Sequence, residues 1–292
     1  MPEKMLKEPK TYTEQLEILK SRGLIVLNEK EALNKLSTMN YYSISGYLHS
    51  FKIDKNRYQE DITFEHIIKI MQCDRRIKSV IMYALDLIEN SLKTKLAYVL
   101  AHETGALGYL NERYFKNATE HDIFKVKFMD NINRNRKLPF VKHHYQNYGG
   151  KFPVWVATEL ISMGMLCNLY KNLNTPLQKT IASEYNTGVD QLISWIENVT
   201  YLRNHVAHNR RLYSFSLQKF PRKCNKNFEN DFFYTNKVFD EIYIMKFLIS
   251  DKHEWNDYVV LNFSQIFENY KDYIDLKEYG FTKKWDKLLK IK

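Results

Sequence analysis

The stretch TFEHIIKIMQCDRRIKSVIMYALDLIENSLKTKLAYVLA, Thr63 to Ala101, contains neither proline nor glycine. Apolar residues recur along it at Ile67, Ile70, Met71, Ile77, Ile81, Leu85, Ile88, Leu92 and Leu96, mostly in steps of three and four. That period belongs to an α-helix with one buried stripe. The spacing predicts a single long helix from about Thr63 to His102.

On its N-terminal side, TYTEQLEILKSRG predicts a short helix, capped by Thr11 or Thr13 and stopped by Gly23. NEKEALNKLSTMN predicts a second, with Asn28 as its cap. YYSISGYLHSF, Tyr41 to Phe51, reads as an aromatic turn around Gly46. On the C-terminal side, Asn131 to Lys151 reads as a basic break with LPF and YGGK. Pro153 then opens an amphipathic helix over FPVWVATELISMGMLCNLY, Phe152 to Tyr170. Its Glu159 and its two-faced pattern argue for a buried helix and against a membrane span. Thr175 and Pro176 start another short helix. NTGVDQLISWIENVTYLRNHVAHNRRLYS predicts a helix capped by Asn186 or Thr187, with Leu192, Ile196, Val199, Leu202 and Val206 as its stripe. After Pro221, DFFYTNKVFDEIYIMKFLIS predicts a further core helix, and the tail TKKWDKLLKIK is basic.

Only 9 Gly and 6 Pro punctuate 292 residues, and no internal repeat is visible. The fold class read from this is all-α. Three stretches divide the chain: an N-terminal helical and aromatic segment (1–62), a helical core (63–216) and a C-terminal helical extension (217–292), together one compact unit. Cys73, Cys167 and Cys224 lie far apart, form no CxxC and sit in no zinc-like cluster with histidine. They read as reduced thiols of a cytoplasmic protein. The opening MPEKMLKEPK lacks the apolar run of a signal peptide.

The net charge of +10 suits a polyanionic partner if the charge is gathered in one place. From Asn198 to Phe228 there is no acidic residue, while Arg203, Arg210, Arg211, Lys219, Arg222, Lys223 and Lys226 all fall in that window. A one-sign patch of this kind is an electrostatic footprint for phosphates. Inside it, Arg203 and His208 are five residues apart near the end of a predicted helix. Chance alone supplies such a spacing about 0.3 times in a chain of this composition, so spacing is weak support by itself. Arg203 also falls on the apolar stripe, about 40° from Val199, with His208 about 140° further round. A charge there needs a partner or a route to solvent. It either pairs with a carboxylate of the long helix, Glu89 or Asp86, or reaches into a cleft between helices or subunits.

Chemically, such a pair fits RNA cleavage. The 2′-hydroxyl of RNA is a built-in nucleophile. Histidine can take or give a proton near neutral pH, and arginine holds phosphoryl oxygens as their charge grows. No metal and no other cofactor is called for. His143 and His144 are adjacent, a poor arrangement for a shared metal, and read as loop residues. One pair per chain supplies few groups, and a symmetric dimer would bring two His and two Arg into one cleft. The loop RNRKLPFVKHHYQNYGGK is a second candidate RNA surface, although an ordinary polar loop is the simpler reading. Tyr41, Tyr42 and Tyr47 read as core packing before base stacking.

RNHVAHNRRLYS resembles the Arg-(Asn/Asp/His)-x3-His signature of HEPN ribonucleases, and more closely the version in the Abi-like (AbiD/AbiF type) abortive-infection proteins of bacteria. PKTYTEQLEILKSRGLIV, LSTMNYYSISGYLHSF, CDRRIKSVIMYALDLIENSLKTKLAYVLA and FPVWVATELISMGMLCNLYKNL are similar to that family's other segments, in the same order. The chain departs in having Asn209 where members commonly carry a second histidine, and Val206 where many have a small residue. The resemblance implies a HEPN-type helical bundle, a homodimer formed through the motif helices, and metal-independent RNA cleavage by a phage-defence toxin. For some members it implies restraint by a small noncoding RNA.

On these grounds the expected catalytic residues are Arg203, Asn204 and His208, with His208 as general acid or base. Arg203 is expected on the scissile phosphate. Asn204, one turn before His208, shares its face. Glu89 is the expected support for Arg203. Arg210, Arg211, Lys219, Arg222 and Lys223 are expected to contact RNA. The alternative is a non-catalytic RNA-binding protein on the same scaffold, and a third reading is a protein-interaction module whose charge serves solubility.

Overall fold

The computed structural model describes residues 8–223 and 232–291. Regular structure among them is helical throughout, and extended segments meet at isolated bridges such as Ile25 with Thr63. Cys224 and Lys226 lie outside the described residues.

Local rules place the first two helices. Thr11 and Glu14 form a reciprocal capping box at the start of α1 (Tyr12–Ser21). Asn28 accepts a hydrogen bond from the Glu31 backbone N–H at 3.1 Å and starts α2 (Glu29–Thr38). The aromatic segment expected as a turn is instead a helix, α3 (Tyr41–Leu48), capped by Asn40. Ile44, Tyr47 and Leu48 are buried at helical spacing, and this stripe outweighs the single Gly46. Tyr42 remains exposed.

The long helix is α4 (Phe64–Thr104), 41 residues capped by Thr63. It runs about 60 Å and forms the axis of the molecule. The helices α3, α7 (Val154–Ala157), α9 (Thr175–Ser183), α10 (Val189–Ala207), α11 (Val238–Leu248) and α13 (Leu261–Tyr270) pack against it. Gly105, at φ +82°, ends it in a conformation that side chains with a Cβ disfavour.

Two expectations between α4 and α10 need correction. The basic stretch Asn131–Lys151 is mostly helical: α5 (Ala118–Arg134) runs into it and α6 (Pro139–Tyr148) fills it, with Pro139 in the first turn and Gly149 left-handed at its end. The polar composition hid a short two-faced helix that buries Val141 and His144. His143 and His144 are therefore helical; the His144 Nδ1 lies 2.9 Å from the Phe140 carbonyl and its ring stacks on Phe152. Conversely, Phe152–Tyr170 is not one helix. Pro153 stands just before α7, a 3-10 turn follows over Thr158–Leu160, and α8 (Met163–Asn172) starts afresh where Ser162 accepts from the Met165 N–H. Bending there buries Leu160, Ile161 and Met163 together, which one straight helix would not do.

The start of α10 also differs from the expectation. Gly188 is its N-cap, while Asn186 takes a left-handed turn (φ +49°) closing α9. Beyond it, α11 is buried on all sides, including Asp240 and Glu241. A short α12 (Lys252–Glu254) passes through a π-helical turn, Trp255–Val260, into α13. The basic tail folds back as α14 (Trp285–Leu289), where Leu288 and Leu289 are buried and the Leu289 carbonyl accepts from Trp255 Nε1 at 2.7 Å. No helix among the described residues is long and apolar enough to cross a membrane.

Candidate active site

Helix α10 presents two unlike faces at its C-terminal end. Leu202, His205 and Val206 point into the core. His205 Nε2 lies 2.9 Å from the Arg211 carbonyl, its ring packs on Phe215, and its Nδ1 is buried without a hydrogen-bond partner among the described residues. Burial holds this imidazole below the ordinary histidine range, against the raising effect of the Arg211 carbonyl. His205 is thus a neutral core residue that fixes the chain returning from the helix.

That return is abrupt. His208 is the C-cap, and Asn209 follows in the left-handed region at φ +51°. Asn tolerates that conformation better than other residues with a Cβ, and here it ends the helix. Its side chain is also used: Asn209 Oδ1 accepts from Lys78 Nζ at 2.7 Å. Asn209 therefore has a structural role here, ending the helix and holding Lys78.

Lys78 belongs to a buried polar cluster that sequence reasoning missed. Asp74, one turn earlier on α4, is fully buried and pairs with Lys78 at 3.1 Å. Asp74 also accepts from the Tyr47 hydroxyl at 2.6 Å, from the Tyr213 N–H at 3.0 Å and from the Leu212 N–H at 3.2 Å. Burial first, and the Asp74 carboxylate second, hold the Tyr47 phenol far above its ordinary range, so it stays a donor. Arg211 completes the cluster: its guanidinium donates to the Gly46 carbonyl and lies over the Tyr47 ring. The signal was present in the sequence, since Asp74 falls on the apolar stripe between Met71 and Ile77.

The other face of the helix end is open. Asn204 and His208 are exposed, four residues apart and therefore on one side. Arg203 is half-buried and its Nη1 donates to Asn204 Oδ1 at 3.3 Å. The structure does not bring Glu89 to Arg203: Glu89 pairs with Lys93 on its own helix at 2.9 Å. Arg210, Lys219 and Lys223 are exposed, whereas Arg211 is committed to α3. Arg222 pairs with Asp190 at 3.2 Å, and its carbonyl accepts from Trp195 Nε1.

Beside this face lies a cleft of about 840 Å³ between α5, α8 and α10, reached by Asn204, Tyr201 and Lys219. Among the described residues no three His, Cys, Asp or Glu side chains are grouped as a metal site requires.

The arrangement is an all-helical bundle whose motif helix ends in an anchored strap and an open basic face. A family model described as "Abi-like protein" matches residues 34–214, more than half of the chain. The chain belongs to the Abi-like protein family, which connects it with abortive infection, a form of phage defence. No curated protein and no solved structure matches it.

Proposed function

We propose that the protein is a HEPN-type endoribonuclease that acts as an abortive-infection toxin. The observation that carries this reading is the exposed face of Asn204 and His208 with Arg203 drawn onto it, at the end of a helix within the family match. Arg203 has no ion-pair partner among the described residues, so its charge is available to a phosphate.

In the proposed reaction, a histidine takes the proton of the RNA 2′-hydroxyl. The 2′-oxygen attacks the adjacent phosphorus, the bond to the 5′-oxygen breaks, and that oxygen receives a proton from a second acid. The products are a 2′,3′-cyclic phosphate and a 5′-hydroxyl. Arg203 holds the phosphoryl oxygens, where charge grows in the transition state. Two proton carriers are needed and each chain offers one exposed histidine at this face. A homodimer that pairs two α10 helices supplies both. The basic surface from Arg210 to Lys223 suits RNA, both as substrate and as a restraining small noncoding RNA.

A test uses single-stranded RNA with one 2′-deoxy nucleotide at a mapped cleavage position. The expected outcome is no cut at that position, with cyclic-phosphate ends at all others. Equal cutting of the deoxy position, or of DNA, contradicts the mechanism.

A further inference from the structure

A second acid-free stretch lies away from the motif. From Asn131 to Thr158 the chain has no Asp or Glu, and Asp130 and Glu159 bound that window. Arg134, Arg136, Lys137, Lys142 and Lys151 fall inside it, and all five are exposed. None is in an ion pair among the described residues; the ion pairs nearest in sequence, Lys125 with Asp122 and Lys171 with Glu197, lie outside the window. Uncompensated cations gathered on one short helix and its flanks attract a polyanion.

The charge runs between two hollows. At one end, Arg134 lines the same cleft as Asn204. Arg136 follows and lies over the Tyr145 ring of α6. Helix α6 carries Lys142 and rises about 15 Å. Past its end a groove of about 670 Å³ opens, lined by Leu107, His143, Tyr148, Lys151, Trp155 and Val156 among others, with no carboxylate in its wall.

Two large rings stand open in that groove: Trp155 is 54% exposed and Tyr148 55%. Tryptophan is on average a well-buried residue, and Trp195 and Trp255 of this chain are fully buried. Both open rings sit on a firm support. Tyr148 packs against His143 and His144, and the His144 ring stacks on buried Phe152. The Phe152 carbonyl accepts from the Tyr109 hydroxyl at 2.7 Å, and the Val154 N–H, beside Trp155, donates to the Ala106 carbonyl at 2.8 Å. Open rings set among cations match a single-stranded nucleic acid, whose base faces take the rings and whose phosphates take the charges. A duplex would use the charges alone, because its bases are already stacked.

We propose that this groove holds a single-stranded segment of RNA at a distance from the motif. A base rests on Trp155, and the backbone tracks over Lys151, Lys142, Lys137 and Arg134 toward Asn204 and His208. The inference rests on the nuclease reading for the choice of RNA over DNA, and on the groove alone for a single-stranded polyanion. The groove binds the strand and takes no part in the chemistry.

Of the four tryptophans only Trp155 is exposed, so its emission reports on the groove. Full-length His208→Ala protein, washed free of co-purified RNA at high salt, is titrated with end-labelled, uridine-rich single-stranded RNA. Tryptophan emission and the anisotropy of the label are read together. RNA is expected to quench the emission. Adding Trp155→Phe abolishes the quench and keeps most of the affinity. Adding Trp155→Ala weakens binding about tenfold, the size of one lost stack. Lys142→Gln with Lys151→Gln lowers the slope of log affinity against log salt by about 1.4, at about 0.7 for each phosphate contact. All these positions are exposed, and melting curves matching the parent check that folding is intact.

Unquenched emission, or Trp155→Ala binding as tightly as its parent, overturns the groove. So does duplex RNA that quenches as strongly as a single strand. Quenching that grows with protein concentration in the absence of RNA marks a second copy of the chain as the occupant and overturns it too. The two readings fail separately. Loss of the Trp155 effects, with wild type still cutting RNA, sinks the groove and leaves the nuclease. Trp155-dependent binding with no cutting by wild type does the reverse.

Discussion

The end of α10 and the strap that follows it are continuous in sequence, yet their polar groups are treated in opposite ways. From Asn209 to Tyr213 the polar groups are largely engaged, the exposed Arg210 side chain excepted. Asn209 holds Lys78, Arg211 holds the Gly46 carbonyl, and the Leu212 and Tyr213 amides bind Asp74. From Arg203 to His208 the outward side chains have one weak bond between them, Arg203 to Asn204 at 3.3 Å. Tyr47, Asp74 and Arg211, each from a different segment that resembles the family, meet in the first region. One stretch of about a dozen residues is therefore handled in two ways. Part of it builds the support, and part is left unbonded, the part we propose for RNA. The support is what keeps the open part in one geometry.

Asp74→Ala challenges this contrast most severely. It leaves Lys78 as an uncompensated buried charge and orphans the Leu212 and Tyr213 amides. A loss of about 3–5 kcal/mol is expected, enough to unfold a marginal domain, and urea denaturation measures it. A variant as stable as wild type would mean that the cluster is no support at all.

A smaller effect probes the inner face of α10. His205 is held below the ordinary histidine range by burial, so the folded state binds its proton less readily than the unfolded chain does. Its stabilising contribution is full above about pH 6.5 and declines as pH falls from there toward the folded value. His205→Gln should flatten that part of the stability–pH curve, read by thermal melts between pH 5 and pH 8. Glu241 acts with the opposite sign. Both its oxygens are buried and unpartnered among the described residues, and burial holds it well above the carboxylate range. Its penalty therefore grows as pH rises from about 4.5. The two slopes are separable, since only the first disappears in His205→Gln.

Much of this was legible in the residues. The stripe from Ile67 to Leu96 marked the axis, and the stripe from Leu192 to Val206 marked the motif helix. The family was legible as well, because several segments matched in order and not the short motif alone. What escaped was what only packing defines. Asp74 lies on the apolar stripe, but its partners Tyr47, Leu212 and Tyr213 come from α3 and the strap, and only folding brings them to it. Glu89 sits on the right helix but its neighbour Lys93 takes it first. The cleft draws on α5 and α8, which lie among the helices least well read: α5 runs into a supposed break, and α8 starts at a cap hidden inside an apolar run. Composition reports average polarity, and both errors arose where a short helix had an unusual average.

The open face of α10 stands or falls on RNA cleavage and thermal stability of His208→Ala, read side by side with wild type. His208 is exposed and anchors nothing beyond its own backbone turn. The expected result is a melting curve superimposable on wild type and a loss of cleavage of about 10²-fold or more. Undiminished cleavage by a variant with that same melting curve would contradict a catalytic His208, and would move the active site away from the open face of α10.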